Sequence, residues 1–298
     1  MPDIFNAALE LPRIPIGQWA EGFVDWLENN LGPLLDFATN ATTWAFDELS
    51  GLLTWPAPVV VTALCAVLAF VVRGWGFALF TLLGLALVAS LGYFEPMMQT
   101  TALVLIASLV AIVVAVPIGI LAARNRAVSQ VVRPVLDLMQ TLPPFVYLIP
   151  AVILFSIGAT PGLLSTVVFA LPPAVRLTEL GIRQVDPEMV EAGQAFGAPP
   201  RQVLTGIQLP LAMPSIMAGV NQVIMLSLSM VVIAGMVGMP GLGQSIYEAV
   251  TRNQIGPGAE SGLSVVILAI FLDRLTSSFG AGKGLLSRLR KPLSATSR

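Results

Sequence analysis

The chain has 298 residues, of which 56% are hydrophobic and 11% charged, with a mean hydropathy of +0.84 and a formal net charge of −2. Ordinary globular chains carry about a quarter charged residues, so this composition points to a bilayer as solvent, and the charge excludes a nucleic-acid binder. The absence of histidine removes the usual general base and zinc ligand, and the single cysteine, Cys65, excludes an internal disulfide or a CxxC metal site.

Residues 1–51 lack the basic start and continuous apolar core of a cleavable signal. Ile16, Ala20, Phe23, Leu27, Leu31 and Leu34 recur at helical spacing, with Glu21, Asp25 and Glu28 between them. Trp19, Trp26 and Trp44 are the residue type that settles at headgroup depth. The pattern predicts an amphipathic segment lying at the extracytoplasmic interface.

Seven apolar stretches follow, at 52–72, 75–94, 101–123, 142–157, 162–175, 211–237 and 262–275, and they predict an all-α integral membrane protein of about seven transmembrane helices. The fourth and fifth carry Pro143, Pro144, Pro150, Pro172 and Pro173 and are expected to be short and broken, which membranes tolerate where protein or a water-filled path satisfies the backbone. Placing Arg73, residues 124–133, residues 176–210 and the C-terminal tail on one side gathers 13 of the 15 basic residues there, all but Arg13 and Arg252. By the positive-inside rule that side is cytoplasmic, so the N-terminus is expected outside and the C-terminus inside.

The 176–210 segment is the most informative. Asp186 suits an N-cap, Pro187 the first helical position and Glu188 the positive end of the dipole, predicting a helix to about Phe196. Gly197 then fits a left-handed C-terminal residue, and Pro199-Pro200 forbids continuation. A second short helix is expected from about Pro200 to Ile207, with a break at Leu209-Pro210 before the next span.

The spacing Glu191-Ala192-Gly193, then Gly197, then Ile207-x-Leu209-Pro210 resembles the EAA loop of ATP-binding-cassette importer permeases of type I. Gly193 stands where that family has a second alanine, a change that keeps the position small and costs a helix about 1 kcal/mol. The segments Gln140-TLPPFVYLIPAVILFSIGATPG-Leu163, Leu171-PPAVRLTELGI, Gln208-LPLAMPSIMAGVNQVIMLSLSMVVIAGMVG and Leu272-DRLT are similar to the glycine betaine/proline betaine osmoprotectant subfamily. The resemblance implies two accessory helices at 52–94, a permease core at 95–280 and a basic cytoplasmic tail at 281–298. It also implies a coupling helix, bearing Glu191, Ala192, Gly193 and Gly197, that docks on a cytoplasmic ATPase subunit. The expected partners are ATPase subunits that bind ATP and Mg, an extracytoplasmic substrate-binding protein, a second permease copy and membrane lipid, in a bacterial plasma (inner) membrane. Choline and carnitine remain alternative substrates.

Other motifs carry less. Gly280-AGKG is not a phosphate loop, because Ser277 replaces the first glycine and Gly284 follows Lys283, so no nucleotide site or cofactor is expected in this chain. Gly238-MPGLG reads as a turn at the outer mouth, and Met213, Met217, Met225 and Met230 as packing. In the sixth span Asn221, Gln222, Met225 and Ser229 are candidates for lining a translocation path, with hydrogen bonding between helices as the competing role. A secondary transporter is disfavoured by the lack of an acid in mid-span and of an inverted repeat. A membrane enzyme is disfavoured because no carboxylate pair, metal ligands or activated nucleophile converge.

Overall fold

The computed structural model describes residues 15–280, and within them every regular element is helical. The helices are α1 (Ile16–Thr54), α2 (Pro58–Arg73), α3 (Trp75–Ser90), α4 (Phe94–Arg124), α5 (Arg126–Thr141), α6 (Pro144–Phe155), α7 (Ala159–Arg183), α8 (Pro187–Ala195), α9 (Pro200–Val203), α10 (Leu209–Ser229), α11 (Val231–Met236), α12 (Leu242–Thr251) and α13 (Ile255–Gly280). A π-helical turn, Leu204–Gln208, joins α9 to α10. The tail at 281–298 lies outside the described residues.

The centre is a three-helix packing of α7 with α4 on one side and α10 on the other. Lipid tails are as apolar as leucine, so close packing rather than hydrophobic segregation must hold such helices together. Small residues supply it. A Cβ on Gly119 of α4 would stand 2.6 Å from Thr178 Cβ of α7, and one on Gly181 of α7 2.7 Å from Ser215 Cβ of α10. Gly219 of α10 lies with its missing Cβ 3.2 Å from the backbone of Ala174. Helix α13 closes the bundle against α10 and α12, and α2 and α3 form a hairpin that meets the rest of the chain mainly along α13.

Length and apolar composition alone identify fewer than the expected seven spans. Four helical runs are long and apolar enough to cross a membrane, at Phe94–Arg124, Ala159–Arg183, Pro200–Met236 and Ile255–Ser278, and two further bent pairs bring the total to six. The second stretch, α3, is an apolar helix of only 16 residues, about 24 Å long against a hydrocarbon core of about 30 Å, yet it joins the end of the bundle that bears Arg73 to the end that bears Tyr93. The 52–72 stretch begins inside α1, which runs on to Thr54 before the chain bends by 94° into α2. The amphipathic N-terminal helix is therefore twice as long as the periodicity suggests. Its second half packs on α4, α6 and α7, where the Thr42 hydroxyl meets the Thr160 hydroxyl at 3.0 Å.

Two expected breaks are absent. Helix α7 continues through Pro172 and Pro173 to Arg183. Each proline withdraws one N–H from the ladder and crowds the carbonyl four residues back, and the flanking packing against α4 and α10 holds the axis. The segment between this helix and the next span thus starts after Arg183 rather than at 176. Nor does the chain break at Leu209-Pro210. The π turn donates the Leu209 N–H to the Leu204 carbonyl, one residue further back than an α-helix would, and Pro210 enters α10 at its first turn.

Of residues 124–133, expected to connect two spans, Arg124 ends α4 and 126–133 belong to α5. Asn125 caps it by accepting the Ala127 N–H at 2.9 Å. Val131, Val135 and Leu138 are exposed along one side of α5, and a 97° bend separates it from α6. A helix with this apolar outer side, lying across the foot of the bundle, suits the membrane interface.

Candidate functional site

Helix α8 is built as its local chemistry requires. Asp186 accepts the Glu188 N–H at 2.9 Å, and Pro187 occupies the first turn, where no intrahelical N–H is needed. At the other end the Ala198 N–H reaches the Gly193 carbonyl at 3.1 Å, and the Gly197 N–H reaches the Gln194 carbonyl at 2.8 Å. Gly197 has φ +78°. These two bonds and the left-handed residue together form a Schellman motif, which satisfies carbonyls the helix end would leave bare.

Two faces of α8 do different things. Gly193 faces inward onto the π turn, where its missing Cβ would stand 2.5 Å from Ile207 Cδ1. Met189, Ala192 and Phe196, spaced three and four apart, all face solvent, and Phe196 is 92% exposed. Met189 and Phe196 make this outward face apolar. Glu191 borders a groove shared with Arg124, Arg183 and Gln208, without a hydrogen bond to any described residue. Leu209 is half-buried against the small cluster of Ile182, Val185, Ala212 and Ile216, and so ties this segment to α7 and α10.

Directly beneath lies a cluster that sequence reasoning missed. Glu179, only 3% exposed, accepts from Ser129 Oγ at 2.8 Å, Arg133 Nη2 at 2.9 Å and Arg183 Nη2 at 3.0 Å. Arg183 also donates to the Ala122 carbonyl at 2.9 Å, at the end of α4. Arg176 pairs with Asp137, continuing the ladder between α7 and α5. A buried carboxylate is costly unless paired, and here one carboxylate ties together α4, α5 and α7 just before the chain enters α8. The signal was present as complementary spacing, with Ser129, Arg133 and Asp137 four apart and Arg176, Glu179 and Arg183 three and four apart.

The candidate path residues separate into two groups. Asn221 donates to Asp273 Oδ1 at 3.2 Å and accepts from Thr276 Oγ1 at 2.5 Å, bonding α10 to α13. Gln222 and Ser229 are exposed and Met225 is half-buried on one face of α10, which also exposes Leu211, Pro214 and Ala218. The Ser229 hydroxyl is turned back to the Met225 carbonyl at 2.9 Å. Gly238 and Gly241, with φ of +88° and +131°, turn the chain between α11 and α12 as the glycine-rich pattern suggests. Met230 is fully buried, in keeping with packing, whereas Met213 is exposed. Among the described residues no group of three metal-ligating side chains forms.

An all-helical bundle with several apolar runs long enough to cross a membrane is the architecture of a multi-pass membrane protein. A family model described as binding-protein-dependent transport system inner membrane component matches residues 115–282, and the chain belongs to that family. It is 47% identical over 273 residues to the glycine betaine transport system permease protein OpuAB of Bacillus subtilis (strain 168), covering 92% of this chain and 97% of that one. It is 45% identical over 274 residues to the glycine betaine/proline betaine transport system permease protein ProW of Escherichia coli (strain K12), covering 90% of this chain and 75% of that one. Among solved structures, a chain of the MetNI methionine ABC transporter in an inward-facing conformation superposes with a TM-score of 0.57 at 21% identity, covering 61% of this chain and 92% of that one, a likeness of fold. The chain is a multi-pass membrane transport permease and not an enzyme.

Proposed function

We propose that the chain is the permease subunit of an ATP-driven importer for quaternary ammonium osmoprotectants such as glycine betaine or proline betaine. The observation that carries this reading is identity of 45–47% to glycine betaine permeases across nine-tenths of the chain. The energy comes from ATP and Mg on separate cytoplasmic ATPase subunits. Each would receive the exposed Met189–Phe196 face of one α8, with Glu191, Ala192, Gly193, Gly197, Ile207, Leu209 and Pro210 forming or bracing the docking element. One chain has one such helix, and two ATPase subunits need two, so the pore is a pair of permease copies.

In this reading the open face of α10 lines the path. Gln222, Met225 and Ser229 present neutral polar and soft apolar groups, which suits a zwitterion of no net charge better than fixed ions would. Asn221 supports that face through its bonds to α13. An extracytoplasmic binding protein selects the ligand, the quaternary ammonium group being one that aromatic cages hold. The N-terminus lies outside and the C-terminus in the cytoplasm, a reading supported by the 13-to-2 split of basic residues.

The test is reconstitution of the permease with its ATPase and binding protein in proteoliposomes. ATP hydrolysis and uptake should rise with glycine betaine or proline betaine inside the binding protein. Stimulation by choline or carnitine alone would move the substrate within the class, and stimulation by none of the four would reject the class.

A further inference from the structure

The α2–α3 hairpin leaves a groove against α13 that the transport reading does not use. It is bordered by Arg73, the last residue of α2, and by Arg274, near the end of α13, with Gly76, Phe77, Phe80 and Ile270 between them. Both arginines stand at the end of the bundle that bears α8. Tyr93 OH donates to the Pro257 carbonyl at the opposite end, so α13 runs alongside α4 in the same direction, toward the end where Arg183 meets Ala122. Both guanidiniums are exposed, and among the described residues neither has a carboxylate partner. The floor is apolar, with Phe77 stacked on Phe271 at 5.9 Å between ring centres.

We propose that this groove holds one anionic phospholipid, its phosphate between Arg73 and Arg274 and an acyl chain along Phe77, Phe80 and Ile270. A small soluble anion would satisfy the two cations and leave the aromatic floor wet. A lipid without net charge would cover the floor and leave the cations uncompensated. Only an amphiphile with a negative head matches both ends. The depth agrees. Trp75, adjacent to Gly76 and 74% exposed, is the residue type that sits at the headgroup level. Because the hairpin meets the core mainly along α13, a lipid lodged here fills the seam between the two. Two arginines near a membrane surface give an anionic over a zwitterionic lipid a preference on the order of tenfold.

The proposal rests on the membrane placement of these helices, and the experiment separates the two. The full chain, with Trp19, Trp26, Trp44 and Trp55 replaced by phenylalanine, is reconstituted in phosphatidylcholine vesicles containing brominated phosphatidylglycerol or brominated phosphatidylcholine. Trp75 emission should be quenched at several-fold lower mole fractions of the phosphatidylglycerol. The preference should vanish in Arg73→Gln/Arg274→Gln, weaken in each single variant, and survive millimolar glycerol phosphate. Equal quenching by both lipids, a preference that persists in the double variant, or displacement by glycerol phosphate would overturn the site while leaving the membrane reading intact. Absence of quenching by either lipid would overturn both.

Discussion

Gly193 of α8 and Ile207 of the π turn meet so closely that a single methyl group added to the glycine would stand 2.5 Å from Ile207 Cδ1. Cδ1 is the free end of a side chain, so Gly193→Ala should be accommodated by rotation, and the higher helix propensity of alanine offsets the cost by about 1 kcal/mol. Gly193→Val leaves no such escape. Uptake and ATPase co-purification should be close to normal in the alanine variant and lost in the valine variant.

Gly197 meets nothing within 4 Å of an added Cβ, so strain at φ +78° is the whole cost of a substitution there. Valine resists this conformation by about 1–2 kcal/mol, while asparagine adopts it more readily. Gly197→Val should insert in the membrane at normal levels and lose transport, with Gly197→Asn intermediate. Normal uptake in the valine variant would count against α8 as the coupling element.

Phe196 gives a cleaner separation of folding from docking. Its ring has almost no neighbours within the chain, so Phe196→Asp should leave the thermal stability of the isolated permease unchanged within about 0.5 kcal/mol. The same change should abolish co-purification of the ATPase. A loss of stability without loss of assembly would contradict the docking role.

Glu179 carries the opposite signature. Glu179→Ala removes the acceptor for Ser129, Arg133 and Arg183 together and should destabilise the permease by about 2–3 kcal/mol. Glu179→Gln, which can still accept, should cost less. Arg133→Ala should cost less again, because its side chain is 58% exposed and water can replace it. Thermal melts of the detergent-solubilised variants give the order.

Orientation follows from the basic residues and is open to direct measurement. Single cysteines at Asn29 and Gln202, both exposed, in a Cys65→Ala chain expressed without the ATPase, should react from opposite faces of the membrane. Labelling of both from one face would reject the assignment.

Much of α8 and its caps was legible in the sequence because capping is local. Asp186, Pro187, Phe196 and Gly197 act through neighbours two to four residues away, and each occupies the position its chemistry predicts. The continuous α7 was not legible. Pro172 and Pro173 argue for a break when only the ladder is considered, and the packing that keeps the helix whole comes from α4 and α10, remote in sequence. The Glu179 cluster stayed hidden for a related reason. Its partners stand 46 and 50 residues away, on a segment that reads as a loop until α5 is seen to lie across the foot of α7. Among the candidate path residues, periodicity put Gln222 and Ser229 on one face of α10, but it could not tell that Asn221 turns toward Asp273 and Thr276.

The π turn has a mechanical consequence. By absorbing Pro210 without a break it makes Pro200–Met236 one helical run of 37 residues, about 55 Å from end to end. A rod of that length, gripped near its foot by Ile207 against Gly193, works as a long arm. A tilt of about 10° at the foot would carry the far end sideways by roughly 10 Å, comparable with the size of the osmolyte itself. A small displacement where α8 is seated would thereby be amplified at the far end of the run.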